Sequence, residues 1–143
     1  MIQRIQTLYL LLAAGCAALM YFVPVYGGTL QDGLHKNFMV SSNYLLFILV
    51  ILLTLIPFLT IFLFKNRHTQ IKLVWLGILI GIVTIILVYL KATDFGTPAT
   101  NTFKASSFKI AAALPIVVLV LLFMAFSRIR KDEKLVKSVD RLR

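Results

Sequence analysis

Four apolar stretches dominate this chain: Ile5 to about Tyr26, about Tyr44 to Phe64, about Leu73 to Tyr89, and about Phe108 to Phe126. Apart from Lys109, which stands at the mouth of the fourth and counts with the loop before it, they contain no Asp, Glu, Lys, Arg or His. At about 17–22 residues each they would rise about 26–33 Å as helices, close to the thickness of a bilayer's hydrocarbon. With 60% of residues hydrophobic and 14% charged, 143 residues cannot cover so much apolar surface in water. The expected fold is an all-α membrane protein of four transmembrane helices in an antiparallel bundle.

The first stretch contains "AAGC", which resembles the end of a lipoprotein signal with Cys16 awaiting acylation. A signal core is short, and its cysteine is normally followed by polar linker. Here the chain continues "AALMYFVPVY". Retention as the first span is the expectation. Cys16 is the single cysteine, so no disulfide framework or redox pair can form within the chain. A thiol among Ala and Gly reads as a small apolar residue.

The formal charge of +10 is distributed as topology-setting charge. If both termini are cytoplasmic, eleven basic residues lie inside: Arg4, Lys65, Arg67, Lys72 and seven from Arg128 to Arg143. Only Lys36, Lys91, Lys104 and Lys109 lie outside. The aromatic residues suggest two interfacial belts, with Tyr21, Tyr26, Tyr44 and Tyr89 at the outer helix ends and Tyr9 and Trp75 near the inner ones. Nucleic acid is excluded as a partner, since no basic groove interleaved with stacking aromatics exists.

"KNRHTQ", Lys65 to Gln70, reads as a tight turn between antiparallel neighbours. In the first outer loop, Asp32-Gly33 suits a type I′ turn and so a small hairpin. The second, with Gly96, Pro98 and many Thr and Ser, reads as irregular or weakly extended. The two are expected to pack as a small extracytoplasmic cap. Residues 1–126 form the transmembrane domain and 127–143 a basic, amphipathic, helical cytoplasmic tail. Leu135, Val136, Val139 and Leu142 share one face of that tail, and Glu133 and Lys137 stand at i,i+4. It would touch anionic lipid headgroups or dock on a cytoplasmic partner.

Gly77 and Gly81 form GxxxG in "GILIG", and Ala14 and Ala18 repeat the spacing in span one beside Ala13 and Ala17. Such small faces let helices approach closely, within one chain or between copies, which leaves a homo-oligomer open. Pro57 and Pro115 are read as kinks inside spans two and four, freeing the carbonyls of Leu53 and Ala111. Thr54 and Thr60 are near enough to Leu53 along the helix to compensate.

No carboxylate stands inside a span, where proton-coupled transporters need one. Asp32 and Asp94 fall in outer loops. His35 and His68 are expected on opposite sides of the membrane, so they cannot form a metal pair or axial haem ligands. No enzyme site, metal or cofactor is expected.

The opening "MIQRIQTLYLLLAA" and the closing "IRKDEKLVKSVDRLR" resemble an uncharacterised family of small four-span membrane proteins from Bacteroidota, a domain of unknown function. The resemblance covers the whole chain. It implies the cytoplasmic membrane of a Gram-negative bacterium, with loops facing the periplasm, and supplies no activity. It directs attention to Gln3, Arg4 and Gln6 beside Arg130, Lys131, Asp132, Glu133, Asp140 and Arg141. Arg4 is expected to pair with Asp132 or Glu133. The expected function is a non-enzymatic inner-membrane scaffold or accessory subunit of a larger membrane complex. It would contact lipids and other membrane proteins through Arg4, Arg130, Lys131, Asp132, Glu133, Leu135, Val139, Arg141 and Leu142. The alternatives are a small oligomeric channel or transporter, and a lipid-handling membrane protein.

Overall fold

The computed structural model describes residues 2–30, 35–63, 66–96 and 103–140. Four helices, α1 (Ile2–Leu19), α2 (Tyr44–Phe62), α3 (Arg67–Gly96) and α4 (Leu114–Asp140), are joined by three strands, β1 (Tyr26–Leu30), β2 (His35–Phe38) and β3 (Phe103–Phe108). α1 packs on α2 and α4, and α3 packs on the same two. One buried cluster joins Met20, just past α1, to Leu46 and Val50 of α2 and to Val88 and Ala92 of α3. The start of one helix therefore meets the finish of the next. A second cluster joins Leu10, Ala13 and Ala17 of α1, Leu53, Val74, and the α4 stripe from Val118 to Ile129.

Tyr44–Phe62, His68–Asp94 and Ile110–Leu135 are long and apolar enough to cross a membrane, while Ile5–Leu19 is a shorter apolar helix. The first span was expected to run to Tyr26, but α1 stops at Leu19. The N–H groups of Met20, Tyr21 and Phe22 bond three residues back, to the carbonyls of Ala17, Ala18 and Leu19. This tightens the last turn before Pro24, whose ring biases Val23 toward extended backbone. The next apolar residues enter a strand.

That strand adds a small sheet to a predominantly helical chain. β1 is the centre of an antiparallel sheet with the order β2-β1-β3. Tyr26 opposes Phe38 on one side and Phe108 on the other. Val25 extends both ladders, its N–H donating to Phe38 O at 2.9 Å and its carbonyl accepting from Lys109 N at 3.0 Å. The second connection, expected to be irregular or weakly extended, supplies β3. The Asp32-Gly33 turn lies outside the described residues. Tyr26 (8% exposed) and Phe38 (6%) turn inward to the cluster at the helix ends. Phe108 meets Tyr26 edge to face at 4.9 Å and stacks on Tyr89 of α3 at 6.3 Å.

α2 begins where the Asn43 side chain accepts from the N–H groups of Leu45 (3.1 Å) and Leu46 (3.3 Å), an N-cap. Pro57 lies within α2 as expected from its position in the span. The nearby threonine hydroxyls do not serve Leu53: Thr54 donates to Val50 O at 2.8 Å and Thr60 to Ile56 O at 2.6 Å. α3 starts at Arg67, so Gln70 is helical instead of part of the turn.

Pro115 is the second residue of α4, where no kink is required. The first turn of a helix has no intrahelical partner for its N–H groups, so proline costs nothing there. The Ala111 carbonyl is not stranded, since it accepts from the N–H of Leu114 at the end of a short 3-10 turn.

Candidate functional site

Opposite the sheet, the N-terminal part of α1 meets the far half of α4. Two polar side chains close this end. Gln6 of α1 donates from Nε2 to Oδ2 of Asp132 in α4, both residues being 7% exposed. Gln70 of α3 donates from Nε2 to the carbonyl of Thr60 in α2 at 3.0 Å. That carbonyl lies in the last turn of α2, where it also accepts from the N–H of Leu63 at 3.3 Å. Each bond joins a different pair of helices. Beneath them, the stripe Ala125, Ile129 and Asp132 continues at helical spacing, which carries a carboxylate into the packed interior.

Asp132 lies about 27 Å along the helix from Leu114, near the limit of a hydrocarbon layer. A carboxylate buried there is costly without a donor, and the Gln6 amide supplies one. Sequence reasoning named Asp132 and Gln6 among the polar residues of this end but assigned the carboxylate to Arg4. The Arg4 side chain lies outside the described residues. The available signal was spacing: Asp132 is three residues after Ile129 and seven after Ala125, on the same face.

Glu133 points elsewhere. Its Oε1 is 3.8 Å from Nδ1 of His68 in α3, a histidine that is 84% exposed. Arg130 and Lys131 are exposed, and the Arg130 guanidinium sits 5.9 Å from the centre of the Phe126 ring. Trp75 meets the same ring edge to face at 5.6 Å. Leu135 is 56% exposed and stands off the buried stripe. Val139 is in α4 with its side chain undescribed, and Arg141 and Leu142 lie outside the described residues. α4 passes from residue 126 to 127 without interruption.

The small-residue positions separate into two environments. A Cβ on Gly77 would stand 3.4 Å from Ile56 of α2 and Leu122 of α4. On Gly81 it would stand 2.6 Å from Leu119 of α4 and 3.6 Å from Leu53 of α2. The glycine face of α3 therefore packs into the seam between α2 and α4 of the same chain. Ala13, Ala14 and Ala17 are buried, and Ala18 is half-buried, on α1, which packs on α2 and α4 from its own side. The two faces do not match each other.

Long apolar helices that join through small residues and interhelical hydrogen bonds define a helical membrane protein. From residue 2 to residue 142 the chain matches the family described as Domain of unknown function (DUF4293), and it belongs to that family. No curated protein and no solved structure matches it.

Proposed function

We propose that this is a four-span protein of the cytoplasmic membrane of a Gram-negative bacterium of the Bacteroidota, with both termini in the cytoplasm. It acts there as a non-enzymatic scaffold or accessory subunit of a larger membrane complex. The distribution of eleven basic residues against four supports that orientation. α1, at 18 residues and about 27 Å, is long enough to cross once its polar start is drawn inward by the Gln6–Asp132 bond.

The observation that carries the reading is the continuity of α4. Its 27 residues extend about 40 Å, so the segment beyond Asp132 leaves the apolar layer on a base already fixed to α1. Exposed Arg130, Lys131, Lys134 and Leu135 stand around that base. A rigid helix bearing cations and an apolar residue is suited to dock on a partner while its lysines and arginines meet anionic headgroups. The buried polar side chains Gln6, Thr60, Gln70, Thr84 and Asp132 are engaged in hydrogen bonds within the chain, which fits a structural role.

Affinity purification of the tagged full chain from mild detergent tests this. A stoichiometric membrane-protein partner is expected, and its recovery should fall by at least about half in the double variant Arg130→Glu, Leu135→Glu. A monodisperse monomer without a partner would overturn the reading.

A further inference from the structure

The outer face of the sheet carries a feature that the scaffold reading does not use. Along β1 the backbone alternates faces, so Tyr26 turns toward the helix ends and Gly27 turns away. On that outward face Gly27 is flanked by Asn37 of β2 and Ser107 of β3, its partners in register. Having no Cβ, Gly27 leaves the centre of the sheet low. A Cβ there would stand 2.5 Å from the Asn37 Oδ1, 3.1 Å from the Lys36 carbonyl and 3.2 Å from Cε of Lys109. The result is a trough of about 270 Å³ floored by glycine backbone and walled by His35, Asn37, Ser107 and Lys109.

The lining has a consistent chemical character. Lys109 contributes an ammonium, Asn37 an amide, Ser107 a hydroxyl and His35 an imidazole. Among the described residues that line the trough, none is Asp or Glu. The Lys109 stem crosses above Gly27, and its base is held by the bond from its own N–H to Val25 O. Backbone N–H groups of β1 are spent on both neighbouring strands, so a ligand would be held by side chains. Fixed positive charge beside neutral donors repels a cation and suits an oxyanion, with charge-assisted bonds from lysine as the strongest contact.

We propose that this trough is a binding site for a phosphate group, with Lys109 as its principal ligand and Asn37, Ser107 and His35 completing the donor set. The group belongs either to a water-soluble phosphate or to a lipid headgroup.

The chain contains two histidines, and the second, His68, lies in the first turn of α3 at the opposite end of the molecule. Isotope-labelled histidine in the full chain therefore gives one reporter in the trough and one control. In micelles of a maltoside detergent, which carries no phosphate, titration with inorganic phosphate is expected to move the His35 ring signals saturably and leave those of His68 in place. If the group comes from a lipid, the same shift appears instead on adding phosphatidylglycerol to the micelles. Lys109→Gln should weaken the response about tenfold or more, as loss of a charge-assisted contact would. Lys36→Gln removes the same charge from the other face of β2 and should change it less than about twofold, because exposed charges act weakly at a distance. Equal losses in both variants would reduce the effect to general surface charge and overturn the proposal. So would the absence of a saturable His35 response to either probe.

Discussion

At the sheet end, backbone ladders and the rings of Tyr26, Phe38, Phe108 and Tyr89 hold the structure, while His35, Asn37, Ser107 and Lys109 line its outer face. At the opposite end no strand is present among the described residues, and two side-chain amides, Gln6 and Gln70, tie the helices in pairs. The difference follows from what each end must satisfy. Chain that leaves the helices at the sheet end still has N–H and C=O groups to pair, and Val25, bonded on both sides, begins a ladder that pairs them. At the other end α4 continues as a helix, and among the described residues its buried carboxylate, Asp132, is partnered by a side-chain amide. The first end is stabilised by burying rings and the second by completing hydrogen bonds.

The largest expected effect tests the first half of that comparison. Phe38→Ala removes a ring that is 6% exposed from the cluster beneath the sheet. Truncations of this kind in a core cost about 3–5 kcal/mol. Chemical unfolding of the detergent-solubilised chain should show that loss, with the sheet signal in circular dichroism disappearing first. A change below about 1 kcal/mol would mean that the sheet contributes little and that the helices stand without it.

At the other end the expected effect is smaller, and its signature is non-additivity. Gln6→Leu deprives a buried carboxylate of its amide donor and should cost about 1–3 kcal/mol. Asp132→Leu leaves the amide without that acceptor and should cost a similar amount. The double variant replaces both groups with apolar ones and should cost less than the sum by at least about 1 kcal/mol. If the losses simply add, the two ends are not held by different means in the way described.

The same contrast explains how much of the molecule was legible in the amino-acid order. The apolar runs announced themselves because no charge interrupts them over a bilayer's width. Their limits did not, because "MYFVPVY" is as apolar as the helix before it, although it forms a turn and the start of a strand. Pro24 and the Gly27-Gly28 pair were the only local signs of that change. β3 was harder still: "FKASSF" has little strand character alone and becomes a strand by pairing with β1, more than seventy residues earlier. Pairing across such a distance leaves no local pattern to read. Burial of Asp132 was hidden because a charged residue near a basic tail resembles solvated surface, whereas the stripe through Ala125 and Ile129 carries it inward. Gly77 and Gly81 were recognisable as a contact face, but one helix cannot specify which neighbours fill it.

Between the two ends, those glycines give the smallest and most discriminating effect. Both are buried on one face of α3, and motif reasoning treats them alike. Their surroundings differ. A methyl group on Gly77 would meet Ile56 and Leu122 at 3.4 Å, ordinary contact distance, and would fill space without displacing anything. On Gly81 it would come within 2.6 Å of a Leu119 methyl, so that side chain must rotate or α4 must move outward. Alanine also favours a helix interior over glycine by up to about 1 kcal/mol. Gly77→Ala should therefore be neutral or stabilising, while Gly81→Ala should be less stable than Gly77→Ala by about 1–2 kcal/mol because of overpacking. Adding Leu119→Ala to Gly81→Ala should recover part of the difference if the clash is its cause. Equal behaviour of the two single variants would mean that the seam between α2 and α4 is loose enough to absorb a methyl anywhere. The middle of the molecule would then add no close packing to the constraints set at its ends.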